Sequence, residues 1–499
     1  MIPNSHAAAS APAELLPAFL KQLVHAATQA GHTFHEFETA LWKELLKAGH
    51  DAVAEFLRQQ GSGDLGPEVA RPDGRTLRRL ERLHPRDLSC LFGRFTIERT
   101  CYGSREGQTI AFVPLDTRLD LPRGNASYQL QDINAMLSAC EPFGRVGSIV
   151  EKLLGLKQPV DSLERQSRRL AERVDDFQTS RPAPPAAEEG AVFVLGIDAK
   201  GVPMRGAADA PSIKSHEHKR GPKTGRKKQA MVAAVYSVDP LIRTPEHLTE
   251  LLFCEPRERP ELVKRPELCH KRVLARLNEY TDAAGVKHDG LAEGFAWMTA
   301  QLNGRNAAGD KPVVRLMDGD ERFVREKKRH TVAGKTVDIL DLLHVTPRLW
   351  KASRLLDGDD ALVRRWVEAV LKGKVDSVLA EWRAGMEKLG SGGRKRLTTM
   401  IGYLEKRRRQ MRYNVYLKKG YPIASGVIEG ACRHYVKDRM EGTGMSWRPP
   451  GAQAMLRLRS VLLNGEWEEY QEHYRGRERE SLYPHRKCLL GPIKWPVAA

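Results

Sequence analysis

The first part of the chain carries apolar residues at helical spacing. Apolar positions recur every three or four residues through about the first 60 residues, which predicts one or two amphipathic helices. A segment rich in Gly, Asp and Pro, 61–74, interrupts this pattern. Leu91–Cys101 then alternates as a β-strand does, and Thr109–Val113 follows after a turn. Residues 1–125 are therefore predicted to be mainly helical with one small β-hairpin.

Residues 126–177 return to the helical period and contain two apolar faces separated by a short turn. One face lies between residues 146 and 154, and the second helix is expected to begin at Asp161 or Ser162, both good N-cap residues. Two helices joined in this way have the outline of a DNA-binding helix-turn-helix, although a plain helical hairpin fits the same pattern. The candidate DNA contacts on the second helix are Arg165, Arg168 and Arg169.

The character of the chain changes after a Pro- and Ala-rich segment, 178–190, which is expected to be a linker. Helical patterns such as Glu261–Glu279 and Gly290–Leu302 lie among strand-like segments. Continuous apolar runs of this kind are typical of strands covered on both faces, so the fold class is α/β with a central sheet in 191–349. The predicted strands are Ala191–Ile197, Ala230–Val238, Val313–Met317 and Val337–Val345.

The rest of the chain is predicted to be almost entirely helical. Residues 350–420 form an all-α insertion of about 70 residues without a strand pattern. Two further helices are expected in 421–475, and the basic tail 476–499 is expected to be loose.

Composition and charge narrow the class of protein. The 499 residues include 81 Lys and Arg against 63 Asp and Glu, a formal net charge of +18, which favours a polyanionic partner such as nucleic acid. No apolar run approaches the ~20 residues needed to cross a bilayer. The seven cysteines are scattered and include no CxxC pair, which argues against a zinc ribbon or a disulfide framework. We therefore expect a cytoplasmic protein.

Acidic residues follow two of the predicted strands. Asp198 comes after the first strand and Asp318 after Val313–Met317, each before a Gly turn. Carboxylates at the same edge of a sheet can bind hard divalent cations, although turn chemistry alone also explains an acid at each place. Asp320 competes with Asp318, which we prefer because it directly follows the strand.

A third acid lies in the segment Ser425–Arg433. If Ser425 caps a helix, Glu429 falls in its first turns, and Glu429, Arg433 and Lys437 form one stripe. Such a stripe is either a ladder of surface ion pairs or a metal-binding carboxylate flanked by cations for phosphates. Glycines on both sides of Glu429 favour the second interpretation.

Asp341 and His344 form a fourth candidate group at the end of the last predicted strand. A histidine beside an apolar run is usually a core residue. Here the aspartate can orient the imidazole, and direct metal ligation is the alternative.

These segments together resemble the DDE transposases of bacterial insertion sequences, most closely the Kra-four type, and more distantly Mutator and hAT elements. The resemblance covers about Ala191–Tyr470 and implies a ribonuclease H-like catalytic core. It implies that Asp198, Asp318 and Glu429 are the catalytic triad, which would bind two Mg²⁺ or Mn²⁺ ions. Asp341 and His344 match the C/D-x-x-H motif of the family. The segments that carry the resemblance are GIDAKGVPMRG, KKQAMVAAVYSVD, VVRLMDGDERFV, VDILDLLHVTPRLWKAS and SGVIEGACRHYVKDRMEGTGMSWRPPGAQAMLRLRS.

The sequence also contains two runs rich in Lys and Arg, Lys214–Lys228 and Glu405–Lys419. A basic run is often only a solvated surface, but two of them beside an acidic site on a chain of charge +18 favour contacts to DNA phosphates. The predicted contacts are Lys219, Arg220, Lys223, Arg226, Lys227, Lys228, Arg407, Arg408 and Arg409, besides Arg433 and Lys437.

The expected function is that of a nucleoid-associated transposase which cuts transposon ends, joins them to target DNA and forms a homo-oligomer on DNA. Two alternatives remain open. One is another ribonuclease H-like nuclease, such as a resolvase or an RNA hydrolase. The other is a domesticated DNA-binding protein without catalytic activity.

Overall fold

The computed structural model describes residues 18–70, 74–104, 110–205, 227–254, 265–282, 284–442, 445–484 and 486. Within these residues the chain divides into two units. Unit 1 takes its residues from Met1–Asn134, Phe143–Leu163 and Glu472–Ala499, and unit 2 from Ala135–Pro142 and Glu164–Gln471. The sequence predicted the division at the linker 178–190, whereas this whole segment belongs to unit 2.

Unit 1 begins with two helices and continues with short antiparallel strands. The second helix starts with a capping box, in which Thr33 and Glu36 each accept a hydrogen bond from the other's backbone. The elements are α1 Ala18–Gln29, α2 Phe34–Gln60, β1 Glu68–Ala70, β2 Thr76–Arg79, β3 His84–Cys90, β4 Gly93–Arg99, β5 Tyr102–Gly103, α3 Pro114–Leu119, α4 Tyr128–Cys140 and α5 Phe143–Leu154.

The hairpin of unit 1 differs from the predicted one. Strand β4 pairs with β3, which precedes it, and not with Thr109–Val113. The tight turn is possible because Gly93 adopts a φ of 133°, a conformation that favours glycine. Among the described residues of the second predicted strand, 110–113, Phe112 forms a single β-bridge, to Tyr102.

Unit 2 is a mixed α/β structure. Helix α6 starts in unit 1 and continues into unit 2, and helices α4 and α19 also cross the division. The remaining elements are α6 Val160–Ala171, α7 Val174–Ser180, β6 Val192–Pro203, β7 Lys227–Val238, α8 Pro245–Phe253, β8 Cys269–Leu277, β9 Glu279–Thr281, β10 Lys287–Asp289, α9 Gly290–Arg305, β11 Val313–Met317, α10 Glu321–Glu326, β12 Thr336–Leu340, α11 Leu342–Leu355, α12 Asp360–Leu371, α13 Val375–Gly385, α14 Ser391–Lys406, α15 Tyr413–Lys418, α16 Gly426–Ala431, a π-helical turn Cys432–Lys437, α17 Asp438–Met440, α18 Pro449–Leu463 and α19 Trp467–Leu482.

The centre of unit 2 is a five-stranded sheet in the order β12-β11-β6-β7-β8. Strand β7 runs antiparallel to both β6 and β8, while β11 is parallel to β6 and to β12. One face packs against the insertion, where Trp366 and Trp382 are fully buried, and the other face packs against α9. The apolar runs of the sequence thus correspond to strands covered on both faces, as predicted.

Three predictions about elements in the second half of the chain are wrong. Strand β8 lies in a segment predicted to be helical, because its pairing with β7 outweighs local propensity. The predicted strand Val337–Val345 ends at Leu340, since Asp341 caps α11 through the backbone N–H of Leu343. The first part of the predicted loose tail, residues 476–482, is helical, because α19 continues to Leu482.

The outer edge of β8 is covered by polar side chains of α18. Gln453, Ser460 and Asn464 accept hydrogen bonds from the backbone N–H groups of Leu277, Ala275 and Val273, at 2.9–3.0 Å. These bonds replace a neighbouring strand and protect the edge from pairing with another chain. None of the helices in the described residues has the length and apolarity needed to cross a membrane.

Candidate active site

Asp198 lies within a strand and not at its end, because β6 continues to Pro203 as the partner of β7. On its other side, however, the parallel pairing with β11 ends at Ile197 and Met317. Asp198 and Asp318 therefore each follow directly after the last paired residues of these two neighbouring parallel strands. The prediction that Asp198 follows the end of its strand is wrong, but both acids lie directly after the paired segment of β6 and β11.

The carboxylate of Asp198 contacts the segment that follows Glu429. Its Oδ1 accepts a hydrogen bond from the backbone N–H of Ala199 at 2.7 Å, and its Oδ2 accepts one from the Cys432 thiol at 3.6 Å. Burial raises the pKa of Cys432, and the Asp198 carboxylate raises it further, so this thiol stays protonated as a donor.

Asp318 and Asp320 have different environments. Burial raises the pKa of Asp318, and Asp198 and Asp320 raise it further, although the N–H of Asp320 and the nearby His344 lower it. The hydrogen bond from Arg322 lowers the pKa of Asp320, which also caps α10. Since Asp320 already has a structural role, Asp318 is the better candidate for a site acid.

Glu429, Asp341 and His344 form a compact group, with one possible ligand atom from each lying within 4.8 Å of the others. Partial desolvation raises the pKa of Glu429, Asp341 and Asp198 raise it further, and His344 lowers it. These interactions connect the group with Asp198 and, through His344, with Asp318. Asp198 and Asp318 thus interact electrostatically with members of this group, but the compact group itself consists of Glu429, Asp341 and His344.

Asp341 is almost fully buried and both its oxygens are used within the protein. Its Oδ1 accepts hydrogen bonds from the N–H of Leu343 at 2.9 Å and of Ser425 at 3.1 Å, and its Oδ2 accepts one from the Ser425 hydroxyl. Ser425 stands at the N-cap position, as predicted, but its hydroxyl bonds Asp341 and makes no capping hydrogen bond. Asp341 therefore fixes the start of α16, the helix that carries Glu429.

The predicted stripe of Glu429, Arg433 and Lys437 is not a regular helical ladder. The π-helical turn Cys432–Lys437 changes the spacing after Glu429. Arg433 is exposed and lies 3.8 Å from Asp438, and Lys437 is also exposed. No ion pair joins Glu429 to either cation within the described part of the chain.

The predicted phosphate contacts fall into three groups. Four of them, Lys219, Arg220, Lys223 and Arg226, lie outside the described residues. Lys227, Lys228, Arg408 and Arg409 are exposed, with Lys227 pairing to Glu441 at 2.7 Å and Arg408 pairing to Asp376.

Arg407 is the exception in these basic runs, because it is buried. Its Nε donates to the carbonyl of Gly319 at 2.9 Å, and its guanidinium lies 4.2 Å from the centre of the Tyr403 ring. The prediction that Arg407 contacts DNA is therefore wrong. A buried guanidinium needs partners inside the protein, and here backbone carbonyls supply them.

The candidate DNA contacts of the first half lie on α6. Arg165 and Arg168 are exposed and Arg169 is half-buried. The division between the units also falls within this helix, after Leu163. The DNA-binding role of these arginines stays a prediction.

The sequence analysis missed two residues beside the site, Tyr403 and Arg348. The Tyr403 hydroxyl donates to the backbone carbonyl of Asp318, and the Arg348 guanidinium lies 3.5 Å from the centre of the Tyr403 ring. The spacing of Tyr403 and Arg407, four residues apart in a helical pattern, could have placed them on one face. Their contact with a residue 85 positions away has no local sequence pattern.

The site fits divalent cations. No described Lys or Arg forms an ion pair with Asp198, Asp318 or Glu429. The negative charge of neighbouring acids, which helps to raise the pKa values of Asp318 and Glu429, is therefore not neutralised by a lysine or arginine of the described residues. Carboxylate oxygens are the ligands that Mg²⁺ and Mn²⁺ prefer. The donor set is therefore suited to one or more such ions.

No protein-family model and no curated protein matches the sequence. Among solved structures, the chain is similar to one described as the Drosophila P element transposase strand transfer complex. The match covers 77% of this chain and 92% of that chain, at 11% identity and a TM-score of 0.24. A likeness at this level carries no argument about fold or activity.

Proposed function

We propose that the chain is a DDE transposase of the Kra-four type, which cleaves the ends of its DNA element and joins them to target DNA. The observation that carries the proposal is the set of acids at the edge of the sheet, where Asp198 and Asp318 follow the last paired residues of β6 and β11. The strand order, with β7 as the single antiparallel strand of the sheet, supports a ribonuclease H-like core. We further propose that the enzyme acts as a homo-oligomer on DNA, associated with the nucleoid.

Asp198, Asp318 and Glu429 would hold two Mg²⁺ or Mn²⁺ ions. Bound ions of this kind activate the attacking oxygen and stabilise the leaving oxygen of a phosphodiester. Asp318 is suited to this role because its Oδ2 accepts no hydrogen bond from the described residues, whereas its Oδ1 accepts one from Asp320. Glu429 is exposed at the surface, where DNA can reach it.

The other residues of the site orient these acids. Asp341 holds the start of the Glu429 helix through Ser425, and the Cys432 thiol holds one oxygen of Asp198. The Nε2 of His344 lies 3.8 Å from Oδ2 of Asp341, and His344 could share an ion with Glu429, which belongs to the same compact group. We therefore assign Asp341 a positioning role.

A strand-transfer assay tests the proposal. A labelled duplex from the DNA that flanks the coding region, with a free 3′-hydroxyl, is incubated with supercoiled plasmid and Mg²⁺ or Mn²⁺. We expect labelled plasmid from the wild-type chain. Asp198→Asn, Asp318→Asn and Glu429→Gln should each reduce the product at least ~100-fold. Substituting a residue that only supports a metal ligand already lowers metal affinity or activity about 10–100-fold, and these acids would bind the metal directly. Asp320→Asn, the matched control, should stay active.

The same assay separates the alternatives. Cleavage of an RNA–DNA hybrid or of a branched junction, without strand transfer, would identify another ribonuclease H-like nuclease. DNA binding without cleavage in either metal would identify a non-catalytic DNA-binding protein. Activity of Asp318→Asn together with an inactive Asp320→Asn would show that the second acid is wrongly assigned.

A further inference from the structure

The turn that carries Asp318 is held from outside the sheet. Residues 318–320 connect β11 to α10, and Gly319 adopts a φ of +78°. A β-carbon at this position would overlap the Arg407 side chain, so the turn and Arg407 fit each other closely. The backbone of this turn determines where the Asp318 carboxylate lies.

The contacts to this turn come from the end of α14, in the helical insertion. The Tyr403 hydroxyl donates to the carbonyl of Asp318, and Arg407 donates to the carbonyl of Gly319 through Nε and Nη2. Burial raises the pKa of Tyr403, so its hydroxyl remains protonated and able to donate. Two successive carbonyls beside the acid are therefore fixed by one helix end.

Tyr403 also connects this turn with the histidine of the site. Its ring lies between two guanidinium groups, with Arg348 at 3.5 Å and Arg407 at 4.2 Å from the ring centre. Arg348 belongs to α11 and donates to the backbone carbonyl of His344. The three stacked side chains thus contact the backbone on both sides of the site, at Asp318–Gly319 and at His344.

We propose that Arg348, Tyr403 and Arg407 are positioning residues that set Asp318 and His344 relative to each other, which makes the helical insertion a part of the metal site. This inference rests on the proposed metal-dependent function. None of the three side chains needs to contact metal or DNA for this role. They act through backbone carbonyls, and stacked planar groups restrict the movement of the turn more than single flexible side chains would.

The test is Tyr403→Phe in the full chain, which keeps the stacked ring and removes the hydroxyl that bonds Asp318. The matched control is Tyr416→Phe, since the Tyr416 hydroxyl donates to the carbonyl of Arg409 at 3.2 Å in the same insertion. Mn²⁺ binding is measured by calorimetry without DNA, and strand transfer is measured over a range of Mn²⁺ concentrations.

We expect Tyr403→Phe to weaken Mn²⁺ binding about 10-fold or more, as loss of an outer-shell partner does, and to leave the control within about twofold of wild type. High Mn²⁺ should restore most of the strand transfer of Tyr403→Phe, because its acids are intact but less well placed. Arg407→Lys should behave similarly, because lysine cannot stack or donate as a planar fork. Its control is Arg383→Lys, since Arg383 lies in the same insertion and is exposed in its pair with Glu405. Circular dichroism checks that each variant is folded.

Two results lead to different conclusions. If Tyr403→Phe and Arg407→Lys bind Mn²⁺ like wild type while Asp318→Asn does not, the positioning inference is overturned and the proposed function stands. If Asp318→Asn also binds Mn²⁺ and transfers strands like wild type, the metal site and the proposed function are both wrong.

Discussion

The buried ion pair between Glu189 and Arg305 predicts a large loss of stability when one of its partners is removed. Arg305 donates to Glu189 through Nε at 2.6 Å and Nη2 at 2.8 Å, and the two side chains are 1% and 0% exposed. The Ser237 hydroxyl also donates to Glu189, at 2.5 Å. Burial alone would raise the pKa of Glu189, but the bonds from Arg305 and Ser237 outweigh it and hold this pKa below its ordinary value.

Arg305→Met removes the partner and leaves a buried carboxylate without a cation. Breaking a buried pair on one side typically costs about 3–5 kcal/mol, whereas replacing both partners by apolar residues is often close to neutral. We therefore expect Arg305→Met to lower the free energy of unfolding of unit 2 by about 3–5 kcal/mol at pH 7. The double variant Glu189→Leu/Arg305→Met should recover most of this loss.

Urea unfolding followed by fluorescence is the assay, since the buried Trp366 and Trp382 report on unit 2. Arg383→Met is the control, because Arg383 and Glu405 are 49% and 45% exposed in their pair and a surface pair contributes about 0–1 kcal/mol. In Arg305→Met the unpaired Glu189 has a raised pKa, so the deficit should shrink as the pH falls and this carboxylate is protonated. A loss below 1 kcal/mol, or a double variant no better than the single one, would refute the reasoning.

Three further predictions concern the site and the DNA contacts. Because burial and neighbouring acids raise the pKa of Asp318, its charge destabilises the metal-free fold once the pH rises from the ordinary carboxyl range through the raised pKa. Asp318→Asn should therefore raise the melting temperature in EDTA, more at neutral pH than at about pH 4, close to the ordinary pKa of aspartate. Thermal melts at the two pH values check this, and an unchanged melting temperature contradicts it. Lys228→Ala should weaken binding to all duplexes alike and lower the slope of log K against log salt by about one, whereas an unchanged slope with a loss confined to the element's own ends would make Lys228 a base-reading residue. Arg168→Ala should reduce the preference for the element's own ends over a scrambled duplex in gel shifts, and a uniform loss on both duplexes would make Arg168 a phosphate contact.

The sequence predicted those strands of the sheet whose burial on both faces gives a continuous apolar run. The runs that became β6, β7 and β11 are almost entirely apolar, apart from Ser237 and Arg315, because both faces of the sheet are covered. Strand β8 carries Arg272 and Arg276 among its apolar residues and lies at an edge, so its local pattern does not distinguish it from a helix. Its conformation depends on β7 and on α18, which no local pattern contains.

The position of Asp318 was predictable for a related reason. An acid that follows an apolar strand is expected at the rim of a sheet, since an unpaired carboxylate in the core would be too costly. The same reasoning placed Asp198 wrongly at a strand end, because β6 continues to Pro203 through its pairing with β7. The basic residues were harder, because a run such as Lys406–Arg409 gives each arginine the same local context. Only the packing of the insertion distinguishes the buried Arg407 from the exposed Arg408.

The contact between Asp341 and Ser425 also affects how this part of the chain can change in length. The two residues are 84 positions apart, and a backbone hydrogen bond from Leu342 to Ile423 at 2.9 Å lies beside them. The first and last residues of the insertion therefore lie next to each other, so that the insertion forms a closed loop. The entropy of closing such a loop grows slowly, by about 0.6 kcal/mol for each doubling of its length. Exposed turns between the helices of the insertion can thus change in length during evolution at small thermodynamic cost, while the junction at Asp341 and Ser425 keeps the Glu429 helix in place.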